Sequence, residues 1–238
     1  GRERMDGVAD GQGNWRVALK PRAASTAPLG LKISSGDKAI SINDILIGDV
    51  WFCAGQSNMA MTVGRAEGRE QAGKGPGDAQ IRFLNMSKSP FTKPIVGKAA
   101  EALKPTPENK RDFYRIGDWH SCASTKVQGL SAVAYWFARY VQKDLGVPIG
   151  LIVPPVGGSA VQAWVSRAAI EADPELKPLL GRWIQDEPAR LQKQLMPWLK
   201  ANPGATFDDT PLHRHRPTTL FETAVAPMRK HAIKGVIW

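Results

Sequence analysis

The chain has 238 residues, 42% hydrophobic and 23% charged, which is ordinary for a globular protein with a sizeable core. Its net charge is +10, but the lysines and arginines are scattered and are not interleaved with aromatic residues, so no nucleic-acid-binding surface is predicted. No segment approaches the ~18 consecutive apolar residues of a membrane span, and no signal peptide is recognisable at the N-terminus.

The first part of the chain is predicted to form short β-strands. Three segments within residues 14–47 alternate partly between apolar and polar side chains, and proline or glycine separates them: NWRVAL, LGLKI and KAISIND. We therefore predict the edge of an N-terminal β-rich domain over residues 1–46 and a second domain over residues 47–238.

The second domain is predicted to alternate strands with helices. Four apolar segments have the composition of strands buried on both faces: 45–54, 81–86, 149–153 and 234–238. Three segments are predicted to be helical: 130–145, 165–200 as two or three helices, and 219–233. Such alternation predicts an α/β fold built on a parallel sheet.

The clearest helix is predicted over residues 130–145. Six of its apolar residues recur at steps of three and four and form the predicted buried face: Leu130, Val133, Ala134, Phe137, Val141 and Leu145. Gly146 stands where a C-terminal cap belongs, and Pro148 prevents the helix from continuing.

Ser57 is the first candidate functional residue. It lies three residues beyond the apolar segment that ends at Ala54, and in open α/β sheets chemistry collects at the carboxyl ends of strands. A serine there is a nucleophile only if a base reaches it and N–H groups receive the developing oxyanion. The elbow Gly-x-Ser-x-Gly is incomplete, because Met59 stands at the last position, which disfavours an α/β-hydrolase.

A second turn supplies candidate oxyanion donors. The predicted strand 149–153 leads into Gly157 and Gly158, and glycine lets backbone amides approach a substrate without an intervening side chain. If both turns lie at the carboxyl edge of one sheet, they should be neighbours.

The motifs GDVWFCAGQSNM, VGGSAVQAW and PTTLFETAVAPMRKHAIKGVIW resemble, in this order, those of the sialate O-acetylesterase family, within the SGNH hydrolase superfamily. Related acetylxylan esterases share the Gly-Gln-Ser-Asn-Met core. The resemblance implies a flavodoxin-like, three-layer α/β/α SGNH domain with a parallel sheet, C-terminally incomplete and preceded by a β-rich segment.

The resemblance also implies roles for individual residues. Ser57 would attack an acetyl ester, its own N–H and that of Gly158 or Gly157 would stabilise the oxyanion, and Gln56 and Asn58 would shape the turn. Trp164 matches a family tryptophan that is either packing or pocket wall. No cofactor or metal ion is implied, the partner is an acetylated carbohydrate, and export to the periplasm or the cell exterior is expected.

Two family motifs have no counterpart in this sequence. They are a Tyr-Gln-Gly-Glu motif after a strand like KGVIW and a later Asp-x-x-His pair that supplies the base and its carboxylate. We therefore expect these 238 residues alone to be inactive. The alternative functions are an acetylxylan esterase and a non-catalytic carbohydrate-binding relative.

The remaining candidate residues carry weaker signals. The four histidines, His120, His213, His215 and His231, are interpreted as surface residues. A metal site at His213 and His215 is rejected, because no third ligand is evident. Cys53 and Cys122 could be free or could form one disulfide.

Overall fold

The computed structural model describes residues 3–86, 93–96 and 118–238. Within these residues, the chain divides into two compact units at residue 48. The first unit contains an antiparallel hairpin of β1 (Ser25–Ser35) and β2 (Lys38–Ile47). Gly36 turns the hairpin with a φ of +54°, which glycine adopts at no steric cost. Residues 14–19, predicted as a strand from NWRVAL, form none.

The second unit is built on a five-stranded sheet. Its strands are β3 (Asp49–Cys53), β4 (Ile81–Asn85), β5 (Trp119–Ser121), β6 (Ile149–Val153) and β7 (Gly235–Ile237). Their order across the sheet is β5-β4-β6-β3-β7, and all pairs are parallel except β4 with β5. The predicted α/β fold is confirmed, but the sheet is mixed, because the short edge strand β5 runs antiparallel.

The helices of this unit are mostly short. The α-helices are α1 (Ser57–Ala60), α2 (Ala132–Leu145), α3 (Arg167–Ala172), α4 (Pro178–Arg182) and α5 (Ala189–Ala201). Single 3₁₀ turns cover Val63–Arg65, Arg69–Gln71, Asp78–Gln80, Thr125–Gly129, Val161–Trp164 and Phe207–Asp209. The segment predicted as one helix over 219–233 is a π-helical turn, Phe221–Val225, followed by a 3₁₀ turn, Ala226–Lys230. Pro227 explains the change, because it has no N–H and its ring would clash with the carbonyl of Thr223.

Apolar clusters cover both faces of the sheet, so the unit has three layers. On one face, Cys53, Phe83 and Leu151 pack with α2. On the other, Phe52 and Ile152 pack with a second set of buried residues: Ala163, Trp164, Leu220, Ala224 and Met228. The parallel strands stand in the order β4-β6-β3-β7. If β4 is set aside as an added strand beside β6, the other three, numbered along the chain, stand in the order 2-1-3 that flavodoxin-like sheets share.

The buried face of α2 agrees only in part with the predicted one, since Leu130 and Ala134 are buried as predicted but two other members of that face are not. Ala134, Tyr135 and Ala138 are fully buried, whereas Val133 and Leu145 are 41% and 58% exposed. Small alanines let the helix approach the sheet closely, and the Tyr135 hydroxyl reaches the buried Asp78. The predicted cap is present, since Gly146 has a φ of +65° and donates to the Gln142 carbonyl.

Cys53 and Cys122 are both free and buried. Burial raises the pKa of the Cys53 thiol to about 12 and also raises that of Cys122. Both side chains therefore act as small apolar groups in the core. Within the described ranges, no helix is long and apolar enough to cross a bilayer.

Candidate active site at the carboxyl edge of the sheet

Ser57 is the first residue of α1, directly beyond the carboxyl end of β3. Between strand and helix the chain turns at Gly55, which is buried and has a φ of +143°. A Cβ at this position would lie 3.3 Å from Cβ of Met59, so both the backbone conformation and the packing require glycine. The glycine thus permits the abrupt stop of the apolar strand that precedes the serine.

The Ser57 side chain is exposed, and its Oγ donates to Gln56 Oε1 at 3.1 Å. The same amide oxygen faces the Ser57 backbone N–H at 3.5 Å, so Gln56 caps the short helix. Asn58 is also exposed, whereas Met59 is buried and receives the hydroxyl of Ser131 at 3.2 Å from its sulfur. Gln56 therefore contacts the serine directly, and Met59 anchors the turn to the core.

The glycine turn after β6 lies beside the Ser57 turn. The Val156 N–H donates to the Gly55 carbonyl at 3.0 Å. A Cβ on Gly157 would lie 3.9 Å from Cβ of Ala60 in α1. The prediction that the two turns are neighbours at one edge of the sheet is confirmed, while the roles of their residues stay predictions.

The two glycine carbonyls are held from one side by the segment around residue 214. Arg214 Nη1 donates to the Gly157 carbonyl at 3.0 Å, and Nε2 of His215 lies 2.8 Å from the Gly158 carbonyl. Gly158 has a φ of +68°, and its N–H makes no hydrogen bond within the described part of the chain. That N–H is thus a candidate donor to a ligand.

His215 is in turn held by Glu187. Its Nδ1 lies 2.6 Å from Glu187 Oε2, and the Glu187 side chain is only 6% exposed. The imidazole therefore bridges a buried carboxylate and the carbonyl of the glycine turn. Its interpretation as a surface residue is wrong.

His213 is also buried, with 3% of its surface exposed, and its Nδ1 accepts the His215 backbone N–H at 3.1 Å. Burial, together with the neighbouring His215 and Arg214, lowers the pKa of His213 to about 4. Its ring is therefore neutral near pH 7 and acts as a fixed acceptor within the loop.

The sequence carries one signal for the polar contacts of this loop. Two histidines and two arginines alternate in the four residues between Leu212 and Pro217. Such residues are costly to bury without partners, so their density directly before an apolar helix indicates a built polar cluster. Buried Arg216 is a further member: its guanidinium donates to Thr210 and to the Phe207 carbonyl at 2.9 Å each.

Trp164 lies at the rim of this site and is 9% exposed. Its indole Nε1 donates to Ser159 Oγ at 2.9 Å, and its ring meets that of Trp238 edge to face with 5.2 Å between centroids. Both contacts fix the side chain in the apolar layer that includes Phe52 and Ala163. Whether it also forms a wall of the substrate pocket stays a prediction.

None of the four histidines, all within the described residues, is hydrogen-bonded to Ser57 Oγ. His120 is on β5, which β4 and β6 separate from β3. At ~4.8 Å per strand, this places it about 14 Å away across the sheet. His231 is exposed and follows the turn Ala226–Lys230. Neither is placed as the base for the serine.

Comparisons with known proteins agree with this geometry. No family model matches the chain. The sialate O-acetylesterase of Homo sapiens is 31% identical over 231 residues, which cover 94% of this chain and 37% of that protein. The enzyme of Rattus norvegicus is 24% identical over 255 residues, which cover 99% of this chain and 43% of that protein.

A solved structure gives the same result at the level of the fold. The crystal structure of a carbohydrate acetylesterase from Xanthomonas citri matches 97% of this chain with a TM-score of 0.66 and 26% identity. This chain covers 40% of that protein, and it spans about two fifths of the length of the curated relatives named above. Sequence similarity along almost the whole chain and a shared fold therefore confirm the resemblance to the sialate O-acetylesterase family.

Proposed function

We propose that the protein is a serine esterase that removes O-acetyl groups from carbohydrates. The names of its relatives support the substrate class, since they are sialate O-acetylesterases and a carbohydrate acetylesterase. The assignment of the chemistry rests on the exposed Ser57 hydroxyl beside a glycine turn, in which the Gly158 N–H has no hydrogen bond to the described residues. We further propose that the domain is of the SGNH type and that the protein is exported, as the resemblance implies.

In the proposed reaction, Ser57 Oγ attacks the acetyl carbonyl carbon. A general base accepts the serine proton, and the N–H groups of Gly158 and Ser57 donate to the oxyanion of the tetrahedral intermediate. The intermediate collapses to acetyl-Ser57 as the proton passes to the sugar oxygen, which leaves as an alcohol. Water then attacks the acetyl group by the same route and releases acetate and free Ser57.

Within the described residues, no side chain is placed to act as the general base for Ser57 Oγ. A serine hydroxyl is a weak nucleophile at neutral pH without an adjacent base, and no imidazole in the described residues contacts Ser57. We therefore propose that the isolated 238-residue chain hydrolyses esters at most slowly. In the full-length gene product, the base is the histidine of an Asp-x-x-His pair, as the resemblance implies.

Acetate release from defined acetylated sugars tests the proposal. The full-length gene product should release acetate from O-acetylated sialic acid or from acetylated xylan, and the preferred one of the two identifies the substrate class. Ser57→Ala is the matched control for each. Saturable sugar binding with no acetate release from either substrate would contradict the proposal. It would favour a non-catalytic carbohydrate-binding protein instead.

A further inference from the structure

Side chains hold the carbonyl side of the glycine turn at Gly157 and Gly158. In a trans peptide the C=O and the following N–H point in opposite directions, and the described residues contain no cis peptide. The Gly157 carbonyl and the Gly158 N–H belong to the same peptide plane. The bond from Arg214 to the Gly157 carbonyl therefore decides where the Gly158 N–H points.

The next peptide plane is held as well. His215 bonds the Gly158 carbonyl, and the Ser159 N–H at the other end of that plane donates to the Val156 carbonyl at 3.2 Å. With the planes on both sides of Gly158 anchored, its φ of +68° is determined by the anchors. Glycine would otherwise rotate freely at this position.

We infer that Arg214 and His215 are positioning residues, which aim the Gly158 N–H at the oxyanion and which Glu187 holds in place. This inference rests on the proposed function, since it concerns the oxyanion donor of that reaction. Neither side chain touches the reacting atoms in this account. They act through the backbone of the glycine turn, as anchors on the side away from the N–H.

Charge strengthens the effect of the anchors. A guanidinium that donates to a carbonyl polarises the amide, so the N–H of the same peptide becomes a better donor. Arg214 does this for the Gly158 N–H, and the Gly157 carbonyl is the one hydrogen-bond acceptor of Arg214 within the described residues. In His215, the buried Glu187 carboxylate orients the ring so that Nε2 faces the Gly158 carbonyl.

Replacing His215 by Gln or by Asn tests the contacts of its two ring nitrogens separately. The amide nitrogen of His215→Gln reaches the place of Nε2 and can still donate to the Gly158 carbonyl. The amide of His215→Asn reaches only the place of Nδ1 and faces Glu187. Arg214→Lys keeps a charged donor, whereas Arg214→Met keeps only the length of the side chain. Arg190→Met, an exposed arginine in α5, is the control for loss of a positive charge.

The measurement is kcat and KM of the full-length gene product with an aryl acetate, with each kcat divided by the fraction of sites that a fluorophosphonate titrates. Complete loss of one oxyanion donor costs about 10²–10³ in kcat, so a misaimed donor should cost about 10-fold to 100-fold. We expect this loss in Arg214→Met and His215→Asn, with KM within about twofold, because the N–H acts mainly in the transition state. Arg214→Lys and His215→Gln should recover most of kcat.

A merely structural role would give a different pattern. It would lower the titratable fraction and the melting temperature but would leave kcat per titrated site unchanged. Values of kcat per site within twofold of the parent in both Arg214→Met and His215→Asn, or equal losses in His215→Gln and His215→Asn, would overturn the inference. If turnover depends on Ser57 in the same assay, the proposed function survives that result. If Ser57→Ala retains turnover, the proposed function itself fails.

Discussion

The Val156 N–H donates to the Gly55 carbonyl at 3.0 Å, and this bond joins the loop after β6 to the loop after β3. The two strands pair in parallel, with Asp49 opposite Ile149, so their carboxyl ends meet at one edge. The serine of one loop and the glycine pair of the other are thus held together by the backbone. Side-chain packing does not have to bring them together.

Gly158→Ala should destabilise the protein more than Gly157→Ala. Alanine at Gly158 would have to adopt a φ of +68°, and its Cβ would lie 3.3 Å from Arg214 Cζ. Such backbone strain costs about 1–3 kcal/mol. A Cβ on Gly157 makes an ordinary contact of 3.9 Å with Ala60. Urea unfolding of both variants measures the difference, and equal free energies of unfolding would contradict the anchored geometry of Gly158.

Gly55→Ala should also lower the free energy of unfolding by about 1–3 kcal/mol. Its φ of +143° is rarely adopted by residues with a side chain, and the new Cβ would press on Met59. Gly129→Ala is the matched control, because a Cβ there meets no atom within 4 Å. We expect the control to stay within about 0.5 kcal/mol of the parent. A Gly55→Ala protein as stable as the control would show that the strand-to-helix turn is built differently.

Tyr135→Phe should cost about 1–3 kcal/mol, because the buried Asp78 carboxylate loses one of its donors and keeps the Gly75 N–H, while the Gly73 N–H loses its acceptor. The Tyr135 hydroxyl lies 3.1 and 3.2 Å from the two Asp78 oxygens and accepts the Gly73 N–H at 3.2 Å. Tyr140→Phe, on the same helix but 66% exposed, is the control. Thermal or urea unfolding compares the two, and similar stability in both variants would exclude an energetic role for this cluster.

His213 should make stability depend on pH. Burial lowers its pKa from the usual 6.5 to about 4, so the unfolded chain binds the proton more tightly between these values. The free energy of unfolding should therefore rise from pH 4 to pH 6.5 by about 1–3 kcal/mol and be unaffected by this group at higher pH. His213→Asn keeps an acceptor for the His215 N–H and removes the titration. Urea unfolding at several pH values should show a smaller slope for this variant, and an unchanged slope would refute the assignment.

Local patterns in the sequence predicted several strands and helices correctly, because these depend on neighbouring residues, although residues 14–19 form no strand and 219–233 is not one helix. The strand over 149–153 and the glycine cap at Gly146 are examples. The face of α2 was harder to predict, since the Tyr135 hydroxyl finds its partner 57 residues earlier in the chain, at Asp78. A tyrosine that is buried for its polar contact does not follow the apolar period.

The sequence placed the serine and the glycine pair in neighbouring turns but could not indicate what anchors them. Arg214 and His215 each bond a glycine carbonyl 57 residues earlier. No local spacing relates such residues, because the loop that carries them is brought to the turn only by the packed fold. His215 was interpreted as a surface residue because it lies in a polar loop, whereas its place between Glu187 and the Gly158 carbonyl leaves its side chain only 25% exposed.

Ser57→Ala in the full-length gene product tests the central claim most directly. The variant removes the hydroxyl from an exposed position at the start of a four-residue helix, so folding should hardly change. With an aryl acetate and with an acetylated sugar, we predict a loss in kcat on the order of 10⁴ or more, as for other members of a catalytic triad. A loss below about tenfold, with the fold intact by circular dichroism, would show that Ser57 is not the nucleophile.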